Sequence, residues 1–104
     1  MGKSEKRELA SRMAVLLAHL LKWQFQPTHR GTSWERAMRE QRKQALRKLK
    51  ETLSFSPLLN DPEWSEGVWG DAVTLAIAET GLDTFPEACP RDLAGVLADD
   101  WLPA

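Results

Sequence analysis

A single cysteine, Cys89, and only two histidines, His19 and His29, leave the chain with little soft-ligand or redox chemistry. One thiol excludes an internal disulfide, a CxxC redox pair and a multi-cysteine zinc site, and it fits a reducing compartment. The ten-residue gap between the histidines matches no recurrent zinc spacing, so neither a metal nor a cofactor is expected. No segment reaches the roughly 18 uninterrupted apolar residues that a membrane span requires. Met1 is followed by GKSEKRE rather than by an apolar run, so no signal peptide is expected and the chain reads as cytoplasmic. A phosphate-binding loop is lacking too: Gly67 and Gly70 stand beside tryptophans in an acidic stretch with no Lys-Ser/Thr after them. No window alternates apolar and polar residues with period two, and there are no repeats or low-complexity segments, so strands and repeat architectures drop out.

What remains is a chain of 104 residues, 42% of them hydrophobic, which is enough for one domain, residues 1–104, with an ordinary core. Its net charge of −1 hides a division. Residues 1–50 hold 13 Lys and Arg against four acids, whereas residues 51–104 hold Arg91 alone against eleven. Two readings follow. The acidic half folds over or beside the basic half, or meets it head-to-tail in an oligomer; or a basic surface stays open for nucleic acid or another acidic partner.

Ser4 is a good N-cap, Glu5 and Glu8 suit the first turn, and no Gly or Pro follows until Pro27, which predicts a helix from about Ser4 to Gln24. Its apolar residues make two adjoining stripes, Leu9, Met13, Leu16, Leu20 and Trp23 on one and Ala10, Ala14, Leu17 and Leu21 on the other, so it needs neighbours on two sides. Pro27 and Gly31 break the chain, and Thr32 with Glu35 has capping-box spacing for a second helix reaching about Leu53. On that helix Trp34, Met38, Ala45, Leu49 and Leu53 fall on one side and Arg36, Arg39, Lys43, Arg47 and Lys50 on the other. Ser54 to Asn60 reads as a connector. Asp61 and Pro62 cap and open a third helix that ends at Gly81, a residue suited to the left-handed position after a helix. Pro90 can open a short last helix through Leu93, Val96 and Leu97. The expected fold is all-α, a small bundle of three main helices plus a short C-terminal one.

Three strings carry a family likeness: LLAHLLKWQFQPTHRGTSW (Leu16 to Trp34), MREQRKQALRKL (Met38 to Leu49) and AETGLDTFPEACP (Ala78 to Pro90). In order and spacing they resemble the bacterial family catalogued as domain of unknown function 29. The matching positions are His19, Leu20, Lys22, Trp23, Gln26, Pro27, Arg30, Ser33 and Trp34 in the first string and Arg42 in the second, with Glu79, Gly81, Phe85, Pro86, Cys89 and Pro90 in the third. The resemblance implies an all-helical protein with no established activity. Two departures stand out: Arg91 follows the Cys-Pro pair where the family usually has an aromatic residue, and a helical segment that normally precedes the position of Met1 is not in this chain.

Candidate functional residues concentrate in the basic half. Arg12 and His19 are seven apart on the first helix, so they point to one side, as do the Arg and His of HEPN-type ribonucleases, where imidazole serves as acid or base and guanidinium holds phosphate. The competing reading ties His19 to a backbone carbonyl or a carboxylate at the border of the apolar face. Trp23 and Trp34 bracket a turn that also carries Lys22, Gln26, His29 and Arg30; the tryptophans either pack the corner between helices or form a rim for a nucleotide or an acidic peptide. Arg36, Arg39, Arg42, Lys43, Arg47 and Lys50 are the candidate binding cations of the second helix. Cys89, between Ala88 and Pro90, reads as a buried small residue or a helix N-cap rather than an activated thiolate. Trp64, Trp69 and Trp101 are partner-surface candidates only if exposed.

The favoured expectation is a non-enzymatic protein-interaction or self-association module. The alternative is a nucleic-acid binder or a metal-independent ribonuclease using Arg12 and His19. Because one partner helix covers only part of an apolar circumference, the first helix is expected to leave a patch that a second copy closes in a symmetric dimer.

Overall fold

The computed structural model describes residues 2–89 and 92–97. The first helix, α1 (Gly2–Phe25), is the middle element. Two further helices, α2 (Thr32–Glu51) and α3 (Pro62–Thr80), pack along it rather than chiefly on each other. The broad apolar surface of α1 dictates this arrangement. Leu9, Met13 and Leu16 are fully buried, and Ala14, Leu17, Ala18, Leu20, Leu21 and Trp23 are buried beside them. Each such leucine contributes about 1.5–3 kcal/mol when removed from water. The expectation of an open patch on α1 therefore fails. Its two apolar stripes are covered within one chain, and the argument for a symmetric dimer through this helix goes with it.

The chain leaves α1 through a single 3-10 turn, Pro27–His29, and enters α2 at Gly31. Gly31 is extended and its carbonyl accepts from the Glu35 N–H at 3.1 Å. The Thr32/Glu35 capping box is not formed, because Thr32 is already the first helical residue, whereas a capping side chain must come from the non-helical residue before it. Met38, Arg42, Ala45 and Leu49 make the buried face of α2. The helix stops at Glu51, two residues short of the expected end, and Leu53 is consequently 72% exposed instead of continuing the buried stripe. The expected connector is itself a 3-10 helix, Leu53–Asn60, which buries Phe55 and rests against α2 and α3.

α3 begins and ends as its residues dictate. The Asp61 carboxylate accepts from the N–H groups of Glu63 and Trp64, at 3.0 and 3.4 Å, and Pro62 occupies the first turn. At the other end Gly81 has φ +76°, and its N–H donates to the Ile77 carbonyl at 2.8 Å. The following loop is fixed by Trp69 Nε1, which donates to the Pro86 carbonyl at 3.0 Å, and by Phe85 set edge-on to Phe25 with centroids 5.2 Å apart. The last helix, α4 (Leu93–Val96), is capped by Asp92 rather than by Cys89, the Asp92 carboxylate accepting from Gly95 N–H at 3.2 Å; the expected opening at Pro90 lies outside the described residues. Leu93, Val96 and Leu97 close the core. Among the described residues there are no strands, and no helix is long and apolar enough to cross a membrane.

Candidate interaction surface

Helical spacing puts Arg36, Arg39, Lys43, Arg47 and Lys50 away from the Met38/Ala45/Leu49 seam, and all five are exposed. None lies within 4.0 Å of a carboxylate among the described residues. The ion pairs that do form are elsewhere: Glu8 takes Arg12 at 3.7 Å and Lys48 at 3.2 Å, and Glu79 takes Lys22 at 3.0 Å. Among the described residues the acidic half therefore packs on α1 through α3, and its acids form no ion pair with the stripe. Glu40 and Glu51 border the stripe on α2 itself, and Glu40 accepts from Gln44 at 2.9 Å.

Arg42 stands apart from this row. It is only 6% exposed, and its Nε donates to the Val96 carbonyl at 3.2 Å, joining α2 to the end of α4. Four residues after Met38 and three before Ala45, it has the register of the packed seam, and that spacing was the signal against a surface role.

The tryptophan corner is also built inward. Lys22 is buried, pairs with Glu79 and lies 5.5 Å from the centre of the Trp34 ring. Trp23 is buried, with the Arg30 guanidinium 5.0 Å above its ring, and Arg30 Nε donates to the Trp23 carbonyl at 2.7 Å. His29 stacks on Trp34 at 6.4 Å, and its Nδ1 shares a hydrogen bond with Thr28 Oγ1. Gln26 is half-buried in the same turn. Lys22 and Trp23 thus point into the fold, and the corner joins α2 to α1. Its partner on α3, Glu79, had no role in the sequence reading. Only its match to the family pattern marked it.

His19 is half-buried and its Nδ1–H donates to the Val15 carbonyl at 2.9 Å, four residues back on the same helix. Arg12 is held by Glu8, and no hydrogen bond joins it to His19. Cys89 is half-buried at the wall of a groove of about 630 Å³ that also carries Leu59, Trp69, Glu66, Glu87 and Asp92. A second groove of about 460 Å³ lies between Lys6 and Trp64, with Asp61, Glu63 and Asp71 along it. Among the described residues no three potential ligands come together for a metal ion. Trp69 is buried and Trp64 half-buried, while Trp101 lies outside the described residues.

The architecture defines a small all-α bundle of charge-divided helices around a central one. The chain belongs to the family described as Domain of unknown function DUF29, which matches residues 1–102. No curated protein and no solved structure matches it.

Proposed function

We propose that this protein is a non-enzymatic interaction module that docks an acidic surface on the exposed stripe of α2. One observation carries the reading: five cations on one helix face, Arg36, Arg39, Lys43, Arg47 and Lys50, are solvent-exposed and have no carboxylate within ion-pair distance among the described residues. Such a row has a field that internal pairing does not cancel. Its 14-residue span covers about 21 Å of helix. A protein partner is favoured over nucleic acid because Asp61, Glu63, Glu66, Asp71, Glu87 and Asp92 are exposed on the rest of the surface and would repel a polyanion large enough to reach past α2. A ribonuclease has less support, since His19 and Arg12 already hold partners on their own helix.

Titration of the chain with poly-glutamate and with a short duplex RNA, at low and moderate salt, tests the reading. Binding to poly-glutamate that falls with salt and is lost in Lys43→Gln/Arg47→Gln supports it. Binding to RNA alone, with a steep salt dependence, replaces the protein partner by nucleic acid. No binding to either polymer at low salt removes the docking role.

A further inference from the structure

Resting on the docking role of α2, we infer that its occupant is the acidic outer side of α3 in a second copy of the chain, so that copies join head-to-tail. The N-terminal half of α3 is a ridge between two grooves with carboxylates in each: Glu66, Glu87 and Asp92 line the larger, and Asp61, Glu63 and Asp71 the smaller. All six are exposed. Gly67 and Gly70 lie on that ridge, and a Cβ built on either meets nothing within 4 Å. Packing inside the chain does not require these glycines, and each lowers helix stability relative to alanine. They leave the ridge low, so long basic side chains from outside can lay their stems across it and reach the carboxylates on both sides. Trp64, half-buried in the smaller groove, adds an aromatic wall against which a guanidinium can stack.

The stripe and the ridge are opposite in sign and similar in length. The stripe extends about 21 Å, and the ridge from Asp61 to Asp71 about 15 Å. Within one chain both helices pack on α1 rather than chiefly on each other, and no ion pair joins stripe to ridge among the described residues. Between chains, a net charge of −1 leaves little general repulsion to oppose approach. An interface that uses two different surfaces leaves one free copy of each at its ends, so growth continues until a ring closes or a filament forms.

Two neutralised variants test this, each altered only at exposed positions. Lys43→Gln/Arg47→Gln removes charge from the stripe, and Glu66→Gln/Asp71→Asn removes it from the two grooves. Sedimentation of the parent chain at low salt is expected to give a mass that rises with concentration above the 11.8 kDa monomer and returns to it at about 0.5 M salt, where screening acts within a few ångströms. Each variant alone should stay monomeric. Mixed in equal amounts, they keep one intact stripe and one intact ridge and should form a 1:1 complex that grows no further. Circular dichroism of both variants serves as the check on folding. A parent chain that is monomeric at every concentration overturns the inference, as does assembly unchanged in either variant. If that monomer still binds poly-glutamate through the stripe, the docking role stands without self-association; if it binds neither polymer, both readings fall.

Discussion

Lys22 Nζ meets Glu79 Oε1 at 3.0 Å, and this pair ties the end of α1 to the end of α3 while the same ammonium lies over Trp34 of α2. Three helices therefore converge on one charge. The two partners differ in setting: the lysine side chain is 9% exposed and the glutamate side chain 50%. Removing the carboxylate strands a cation in a nearly dry site, whereas removing the cation leaves a carboxylate that water can solvate.

Glu79→Ala is accordingly expected to lower stability by about 1–2 kcal/mol, less than for a fully buried pair because solvent reaches the glutamate. Lys22→Met keeps the stem packed on Trp34 and should change stability by less than about 1 kcal/mol. Urea unfolding of the two variants measures the asymmetry. Equal losses would show that the pair acts as an ordinary surface bridge.

His19 gives the prediction that separates scaffold from catalyst. Its Nδ1–H bond to Val15 O predicts that His19→Ala loses about 0.5–1.5 kcal/mol, the usual net worth of one intramolecular hydrogen bond. RNA incubated with the parent and with the variant should be cleaved at the same background rate. Specific cleavage by the parent that His19→Ala abolishes, without a change in melting temperature, would restore the ribonuclease reading.

The helices were legible in the sequence because their signals are local. Asp61-Pro62 starts α3, Gly81 ends it, and the two apolar stripes of α1 called for the two neighbours it has. The face of α2 is legible from its period, and the register of Arg42, three residues before Ala45, sets it on the packed seam although its side-chain type suggests the surface. The same period carried past Glu51 puts Leu53 on the buried face, but a switch to 3-10 geometry cuts the helix short. Trp23 and Trp34 mark the corner in the sequence, but its inward use is not readable there, since Lys22 finds its partner 57 residues away. No period within α1 or α2 reports a bond of that range. The same limit explains why the two charge readings stayed open: whether the acidic half covers the stripe depends on which side of α1 receives α3.

Arg42 should behave as a core residue. Truncation to Ala removes the donor to Val96 O and the stem packed in the seam, an expected loss of about 2–4 kcal/mol. For a domain of this size each kcal/mol lowers the melting temperature by roughly 4–8 °C. Arg42→Lys should recover less than half, because an ammonium lacks the fixed Nε geometry. Association or polymer binding, measured where the variant is folded, should be unaffected. A binding defect in folded Arg42→Lys would return this residue to the docking surface.

The glycines of α3 differ in kind, and alanine substitution should separate them by sign. Gly81 has φ +76°, a conformation that costs an L-residue about 1–2 kcal/mol, so Gly81→Ala should destabilise by that amount even though the added methyl meets nothing within 4 Å. Gly67 and Gly70 sit inside the helix with the same open space and no positive φ, so the methyl has no clash or strain to offset the gain in helix propensity. Gly67→Ala and Gly70→Ala should each stabilise by about 0.5–1 kcal/mol, and the double variant by nearly the sum if the two effects arise independently. Equilibrium unfolding at low protein concentration, where association does not contribute, reads all three effects. A destabilised Gly67→Ala or Gly70→Ala would mean that another part of the same chain rests on the α3 ridge, and the ridge would then not be open to a second copy.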